Sequence, residues 1–182
     1  RDTQAAARGL ALVESTPTAA RRRRIVEQVE LYRGLIALLE NRNEEAALHL
    51  RTAVEMMTRW DRLLFLPEAA TYLAEAEWRL ENEDAADAAA DIAIVASRRI
   101  GSDHLLLRAA REFPAVVARR LDAELGSDSR WHDLGRKLMS SGHITLTVSV
   151  PRVRVIEFGR LAISVDGHEL RLKLTKSAEV LA

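Results

Sequence analysis

A set of small and medium side chains occurs twice in this chain with the same mutual spacing. The first set is Gly34, Ala46, Leu50 and Ala53, and the second, forty residues later, is Ala74, Ala86, Ala90 and Ala93. Small side chains let two antiparallel helices approach closely, and a fixed period of this length is typical of arrays in which each helical hairpin packs on its neighbours. The repetition therefore predicts two stacked hairpins. The tripeptide Leu39-Glu40-Asn41 recurs as Leu80-Glu81-Asn82, one residue out of step with the other positions.

Residues 18–124 resemble the tetratricopeptide-like helical regions of large bacterial regulators. The repeated small positions match that family's pattern, although the period is longer than usual, and Glu30 and Ala70 stand where the family carries a large aromatic side chain. The resemblance implies an antiparallel helical hairpin array whose concave face binds an extended peptide or a helix of another protein. A generic helical bundle is the alternative.

Apolar spacing and stop signals predict further helices on both sides of the repeated part. We expect helices at 3–15, 18–40, 44–60, 103–124 and around 131–139. Between the third and the fourth of these, a further helix should begin at Pro67, and the second hairpin should end at Gly101. Pro114 should kink or break the helix at 103–124 because a proline removes a backbone donor. The apolar stretch 60–67 either fills the core or is exposed as a docking surface.

After Ser140-Ser141-Gly142 the apolar residues change from a helical period to a period of two. The alternating positions are Ile144, Leu146, Val148, Val150, Val153, Val155, Leu161, Ile163, Val165, Leu170, Leu172 and Leu174. Asp166-Gly167 between two such runs is a strong hairpin signal. The sequence therefore predicts a mainly α protein with a helical domain at 1–141 and a small antiparallel β-sheet within 142–182.

The order strand, Phe-Gly, strand, Asp-Gly, strand, Leu-Thr, helix start resembles the opening of the winged-helix domain of OmpR-like and antibiotic-regulatory-protein-type bacterial regulators. The matching residues are Phe158, Gly159, Asp166, Gly167, Leu174 and Thr175, all with structural roles. The resemblance implies a truncated winged helix whose DNA-reading helix follows Ala182 in a longer protein. The chain departs from the OmpR-like pattern at Ala178, where that pattern usually has an acidic residue, and this favours the antibiotic-regulatory type.

Composition excludes several classes of protein. The formal net charge is zero, so the whole chain has no electrostatic preference for nucleic acid or membrane. The chain has no cysteine, and no run of apolar residues is long enough for a membrane helix. We therefore expect a cytoplasmic protein that does not contact a membrane. The arginine run 21–24 continues into a helical apolar pattern, which favours a solvated helix face over a nucleic-acid site.

No pattern of catalytic or metal-binding residues occurs in the sequence. The five histidines have no helical i, i+3 or i+4 pairing, and there is no phosphate loop, nucleophile elbow or zinc-protease motif. We therefore expect no enzyme activity, no cofactor and no metal site. The candidate partner-binding residues are Tyr32, Arg33, Tyr72 and Glu75, at corresponding positions of the first helices. Buried packing is the alternative for both tyrosines.

These features predict part of a bacterial transcriptional regulator in which helical repeats sense a signal or bind a protein, and a winged helix binds DNA in the full-length protein only. The sheet would serve as a packing platform and as a surface for polymerase or homodimer contact. Two alternatives are a protein-protein interaction adaptor without DNA binding and a helical regulatory part of an enzyme. We also expect Leu170, Leu172 and Leu174 to be covered by the helices or by a neighbouring molecule.

Overall fold

A computed structural model of the chain describes residues 2–15, 23–124 and 129–140 and three short strands between residues 153 and 170. The chain separates into two compact units, residues 1–147 and residues 148–182. The described part is mainly helical, which confirms the predicted mainly α class. No helix among the described residues is both long enough and apolar enough to cross a membrane.

The first unit contains eight described helices, which agree closely with the stop signals in the sequence. They are α1 Thr3–Glu14, α2 Arg23–Leu39, α3 Asn43–Arg59, α4 Leu66–Arg79, α5 Glu83–Ile100, α6 His104–Glu112, α7 Ala115–Ala123 and α8 Arg130–Ser140. Pro67 lies in the first turn of α4, as predicted. The helix expected at 103–124 is divided into α6 and α7 at Phe113 and Pro114. The expected helix start at Thr18 lies outside the described residues.

Four residues at intervals of twenty have positive φ in the described part of the chain. They are Asn41 (59°), Asp61 (50°), Glu81 (62°) and Gly101 (73°). After each one, the next backbone N–H donates to the carbonyl oxygen five residues back, with distances of 2.9, 2.8, 3.0 and 3.3 Å in that order. This is the Schellman arrangement, which satisfies carbonyl groups at a helix end. Helices α2 to α5 therefore end in the same way.

Close backbone approach joins α2 to α3 in an antiparallel hairpin. A Cβ atom on Gly34 would lie 2.4 Å from Leu50 Cγ and 3.2 Å from the Ala46 carbonyl oxygen. Glu30 lies four residues before Gly34 on α2, and its Oε2 atom lies 2.7 Å from Nδ1 of His49 on α3. The repeated small positions are buried in both hairpins, including the alanines at 74, 86, 90 and 93 of α4 and α5.

The core of the first unit is continuous from α2 to α8. The buried residues include Leu106 of α6, Val116, Val117 and Leu121 of α7, and Leu134 and Leu138 of α8. By contrast, no residue of α1, a helix described over its whole length, is buried. The apolar pattern of α1 predicts a packed helix, but only Thr3 and Leu10 are even partly covered.

The second unit contains three described strands, β1 Val153–Ile156, β2 Ala162–Val165 and β3 His168–Leu170. Their order is β1-β2-β3, and both neighbouring pairs are antiparallel. Val153 pairs with Val165, and Val165 with His168. The strand expected at 144–150 and the residues Leu172 and Leu174 lie outside the described residues, and no side chain of this unit is described.

Candidate functional site

Helix α4 is the centre of the first unit, since every residue from Leu66 to Glu77 is buried. The sequence of this helix carries three carboxylates, and burial of a charge is costly unless a partner is supplied. Glu68, Glu75 and Glu77 are each paired with an arginine of another helix. These three ion pairs connect α4 to α3, α6 and α7. The position of α4 is therefore fixed by charge as well as by packing.

The ion pair between α4 and α6 also contacts Tyr72, one of the predicted partner-binding residues. Arg108 Nη2 lies 2.5 Å from both oxygens of Glu68, and the Tyr72 hydroxyl donates to Glu68 Oε1 at 3.0 Å. Burial, together with the negative charges of Glu68 and Glu112, raises the pKa of Tyr72, which therefore stays a neutral donor. The Tyr72 ring also packs edge-on against Phe113, with ring centroids 5.7 Å apart.

The second predicted residue on α4, Glu75, accepts hydrogen bonds from two arginines. Arg79 Nε lies 2.9 Å from Oε1, and Arg119 Nη1 lies 3.3 Å from Oε2. The Arg119 guanidinium also lies over the Trp78 ring, 4.4 Å from its centroid, and burial lowers the pKa of Arg119. Tyr72 and Glu75 are thus both buried inside the array rather than presented to a partner.

Glu77 lies in the contact between the two hairpins. Arg51 of α3 donates from Nε and Nη2 to the two carboxylate oxygens, at 2.6 and 3.0 Å, and Asn82 donates to Oε2 at 3.0 Å. Burial opposes ionisation of Glu77, but the hydrogen bonds from Arg51 and Asn82 outweigh it and hold the pKa of Glu77 below its ordinary value. This pair joins one forty-residue segment to the next.

The other two predicted residues, Tyr32 and Arg33, lie at the surface beside α1. Tyr32 is 38% exposed and lines an apolar cavity of about 450 Å³ between α1 and α2. The other lining residues are Asp2, Thr3, Ala6, Gly9, Leu10 and Val13 of α1, Leu35, Ile36 and Leu39 of α2, and Glu112 of α6. A concave apolar cavity with a few polar groups at its rim is the usual form of a binding site.

Arg33 lines a second cavity, of about 360 Å³, on the other flank of α1. The Arg33 guanidinium pairs with Glu14 of α1 and lies 3.1 Å from Glu30 of its own helix. Residues Leu10 and Ile36 line both cavities and separate them. The groove along α2 is therefore a single surface, divided in two by α1.

Charge in the groove is balanced by short-range pairs. Arg42 and, to a smaller extent, the Thr3 side chain in the first turn of α1 lower the pKa of Glu40. Together with the Arg33 to Glu14 pair, this contact fixes the direction of α1 as antiparallel to α2. Leu10 is the apolar residue of α1 that is partly covered.

The remaining sequence predictions are only partly located by the structure. In the apolar stretch 60–67, Leu66 is buried while Leu64 is 61% exposed, so the stretch both fills the core and reaches the surface. No group of three or more metal-binding side chains occurs among the described residues. The six winged-helix positions, Phe158, Gly159, Asp166, Gly167, Leu174 and Thr175, lie outside the described residues.

Comparison of the sequence with models of known protein families finds no match, and no characterised protein or solved structure matches the chain. The candidate site is therefore defined by its geometry alone. The groove along α2, with α1 lying in it, is the feature best suited to binding.

Proposed function

We propose that the first unit is a signal-sensing or protein-interaction module of a bacterial transcriptional regulator, built as a tetratricopeptide-like array of helical hairpins. In this proposal the small sheet, within residues 142–182, begins an OmpR-like or antibiotic-regulatory-protein-type winged helix. Protein or peptide partners bind the helical unit, and DNA binds the full-length protein through residues that follow the sheet.

The observation that carries the proposal is the order of elements along one chain. Helical hairpins in steps of forty residues are followed by three antiparallel strands, with Asp166-Gly167 between the last two in sequence. Helical arrays of this kind bind peptides on the face formed by their first helices, and α2, which borders the groove, is the first helix of its hairpin. A separate small unit after the array supports a second, distinct role for the C-terminal part.

The proposal is tested by measuring duplex DNA binding of the full-length protein and of residues 1–182 side by side, over a range of salt concentrations. We expect the full-length protein to bind with an affinity that falls steeply as salt rises, because phosphate contacts release counterions. Residues 1–182 should bind weakly. Absence of DNA binding by the full-length protein would contradict the regulator proposal and favour the interaction adaptor. Tight specific binding by residues 1–182 would show that the DNA-reading surface lies within these residues and not after the sheet.

A further inference from the structure

Helix α1 fills the groove along α2 incompletely, and its sequence explains why. Its residues Ala6, Gly9 and Val13 recur at helical spacing and line the larger cavity. Its residues Ala7, Ala11 and Glu14 form a second stripe, which lines the smaller cavity. Leu10 lies between the two stripes. Since most of these side chains are small, each flank of α1 leaves space in which a larger side chain would fit.

The attachment of α1 is correspondingly weak. None of its twelve residues, all of them described, is buried, and Leu12 on its outer side is 71% exposed. An isolated helix of this length is marginal in water, so its stability depends on contacts with the rest of the protein. Those contacts include the partly covered Leu10, the Thr3 side chain beside Glu40 and the Glu14 to Arg33 pair.

We propose that the groove along α2 is the docking surface for an amphipathic helix of a partner protein, which displaces α1 and lies in the same antiparallel direction. The partner helix carries large aliphatic or aromatic side chains at the positions of Gly9 and Ala11, which fill the two cavities. It also carries an acidic residue at the position of Glu14, which pairs with Arg33. This inference rests on the proposed interaction function and names the kind of partner.

The choice of a helix as the occupant follows from α1 itself. A helical segment is already seated in the groove, with one acidic contact to Arg33, and the two unfilled volumes lie on opposite flanks of that helix. Residues 9 and 11 are two positions apart, so their side chains diverge by about 200° around the axis. One helix with two large residues at this spacing therefore reaches both cavities.

The test uses peptides that copy residues 2–15. The filling peptide carries Gly9→Leu and Ala11→Leu. The matched control carries Gln4→Leu and Ala5→Leu, which adds the same number of leucines at exposed positions that line neither cavity. Because the chain has no cysteine, dyes can be attached at Leu12→Cys on α1 and Leu48→Cys on α3, both of which are exposed. Energy transfer between the dyes then reports whether α1 leaves the groove of the 182-residue protein.

We expect the filling peptide to bind saturably and to reduce energy transfer, and the control peptide to do neither at the same concentration. Peptide affinity should rise by about tenfold or more when Leu10→Ala weakens α1 in the protein, and fall by about as much when the protein itself carries Gly9→Leu and Ala11→Leu. An Arg33→Glu protein should prefer a filling peptide that carries Glu14→Arg.

Failure of the filling peptide to bind, equal binding of both peptides, or binding with unchanged energy transfer would each overturn the inference. None of these results depends on DNA binding, so they test the partner helix separately from the regulator proposal.

Discussion

Glu81 adopts the same left-handed backbone conformation as Asn41, forty residues earlier in the chain, with φ of 62° and 59°. Both residues end the first helix of a hairpin, and in both cases the following N–H donates to the carbonyl oxygen five residues back. The left-handed region suits glycine and, to a lesser degree, asparagine, whereas a glutamate is strained there. The two helices of each hairpin are thus joined by the same kind of turn, made from residues with different preferences.

Glycine at position 81 should stabilise the protein. We expect Glu81→Gly to raise the free energy of unfolding by about 0.5–1 kcal/mol, because relief of the left-handed strain exceeds the entropy that glycine adds to the unfolded chain. Gly101→Ala is the matched opposite change, since φ there is 73° and a Cβ would meet no other atom within 4 Å. It should lower stability by about 1 kcal/mol through the backbone alone. Urea unfolding of both variants measures the two effects, and stabilisation by Gly101→Ala would contradict this account.

The close approach at Gly34 predicts a strong dependence on Leu50. Gly34→Ala should destabilise the protein by about 1–3 kcal/mol, because its Cβ would overlap the Leu50 side chain and the hairpin would have to open. In a Leu50→Ala background the same substitution should cost much less. A double-mutant cycle by chemical denaturation measures this coupling. Additive effects of the two substitutions would show that Leu50 does not limit the approach of α2 and α3.

The two corresponding tyrosines should respond differently to loss of their hydroxyl groups. Tyr72→Phe removes a buried hydrogen bond to Glu68 and should lower stability by about 1–2 kcal/mol. Tyr32→Phe changes a side chain that is 38% exposed and should leave stability nearly unchanged. Thermal unfolding of the two single variants provides the comparison. Equal losses of stability would mean that the two tyrosines do not differ in environment.

The ion pair between Arg51 and Glu77 predicts part of the acid sensitivity of the protein. The folded-state pKa of Glu77 lies below its ordinary value of 4.5, so the unfolded chain binds more protons between the two values. The stabilisation from Glu77 is therefore complete above about pH 4.5 and is lost as the pH falls through the folded-state pKa. Glu77→Gln should be less stable at neutral pH and should lose less further stability on acidification.

Unfolding free energies measured from pH 7 down to the acid range check this prediction. Glu44→Gln, at an exposed position in the first turn of the same helix as Arg51, serves as the control variant. A wild-type protein and a Glu77→Gln variant that lose stability in parallel below pH 4.5 would assign the acid sensitivity to other carboxylates.

Much of the helical fold could be predicted because its signals are local. Pro67, Gly101 and Pro114 mark a helix start, a helix end and a break, and the structure has all three at those residues. The repeated set of small residues could be recognised in the sequence because close packing of two helices permits few other side chains at these positions. The tripeptide Leu-Glu-Asn, one residue out of step in the sequence, is out of step in the structure too, since Asn41 corresponds to Glu81 and not to Asn82. The left-handed conformations of Asp61 and Glu81 could not be predicted, because neither residue type favours that conformation.

The candidate site was harder to predict because its features depend on residues far apart in the chain. Tyr72 and Glu75 were predicted to bind a partner together with Tyr32 and Arg33. In the structure, Tyr72 is buried and donates to the Glu68 carboxylate that pairs with Arg108, and Glu75 is buried and pairs with Arg119. The cavities on either side of α1 arise from the absence of large side chains. An amphipathic pattern indicates which face of a helix is apolar, but it does not report how completely that face is covered.

The interval of twenty residues between left-handed turns limits how a chain of this kind can change in length during evolution. Duplication or loss of forty residues returns the backbone to the same turn, with the next helix facing the same way. An insertion of one residue within a helix rotates everything after it by about 100°, which would turn the buried alanines of the following helix out of register with their partners. Relatives of this chain that differ in length should therefore differ by whole hairpins.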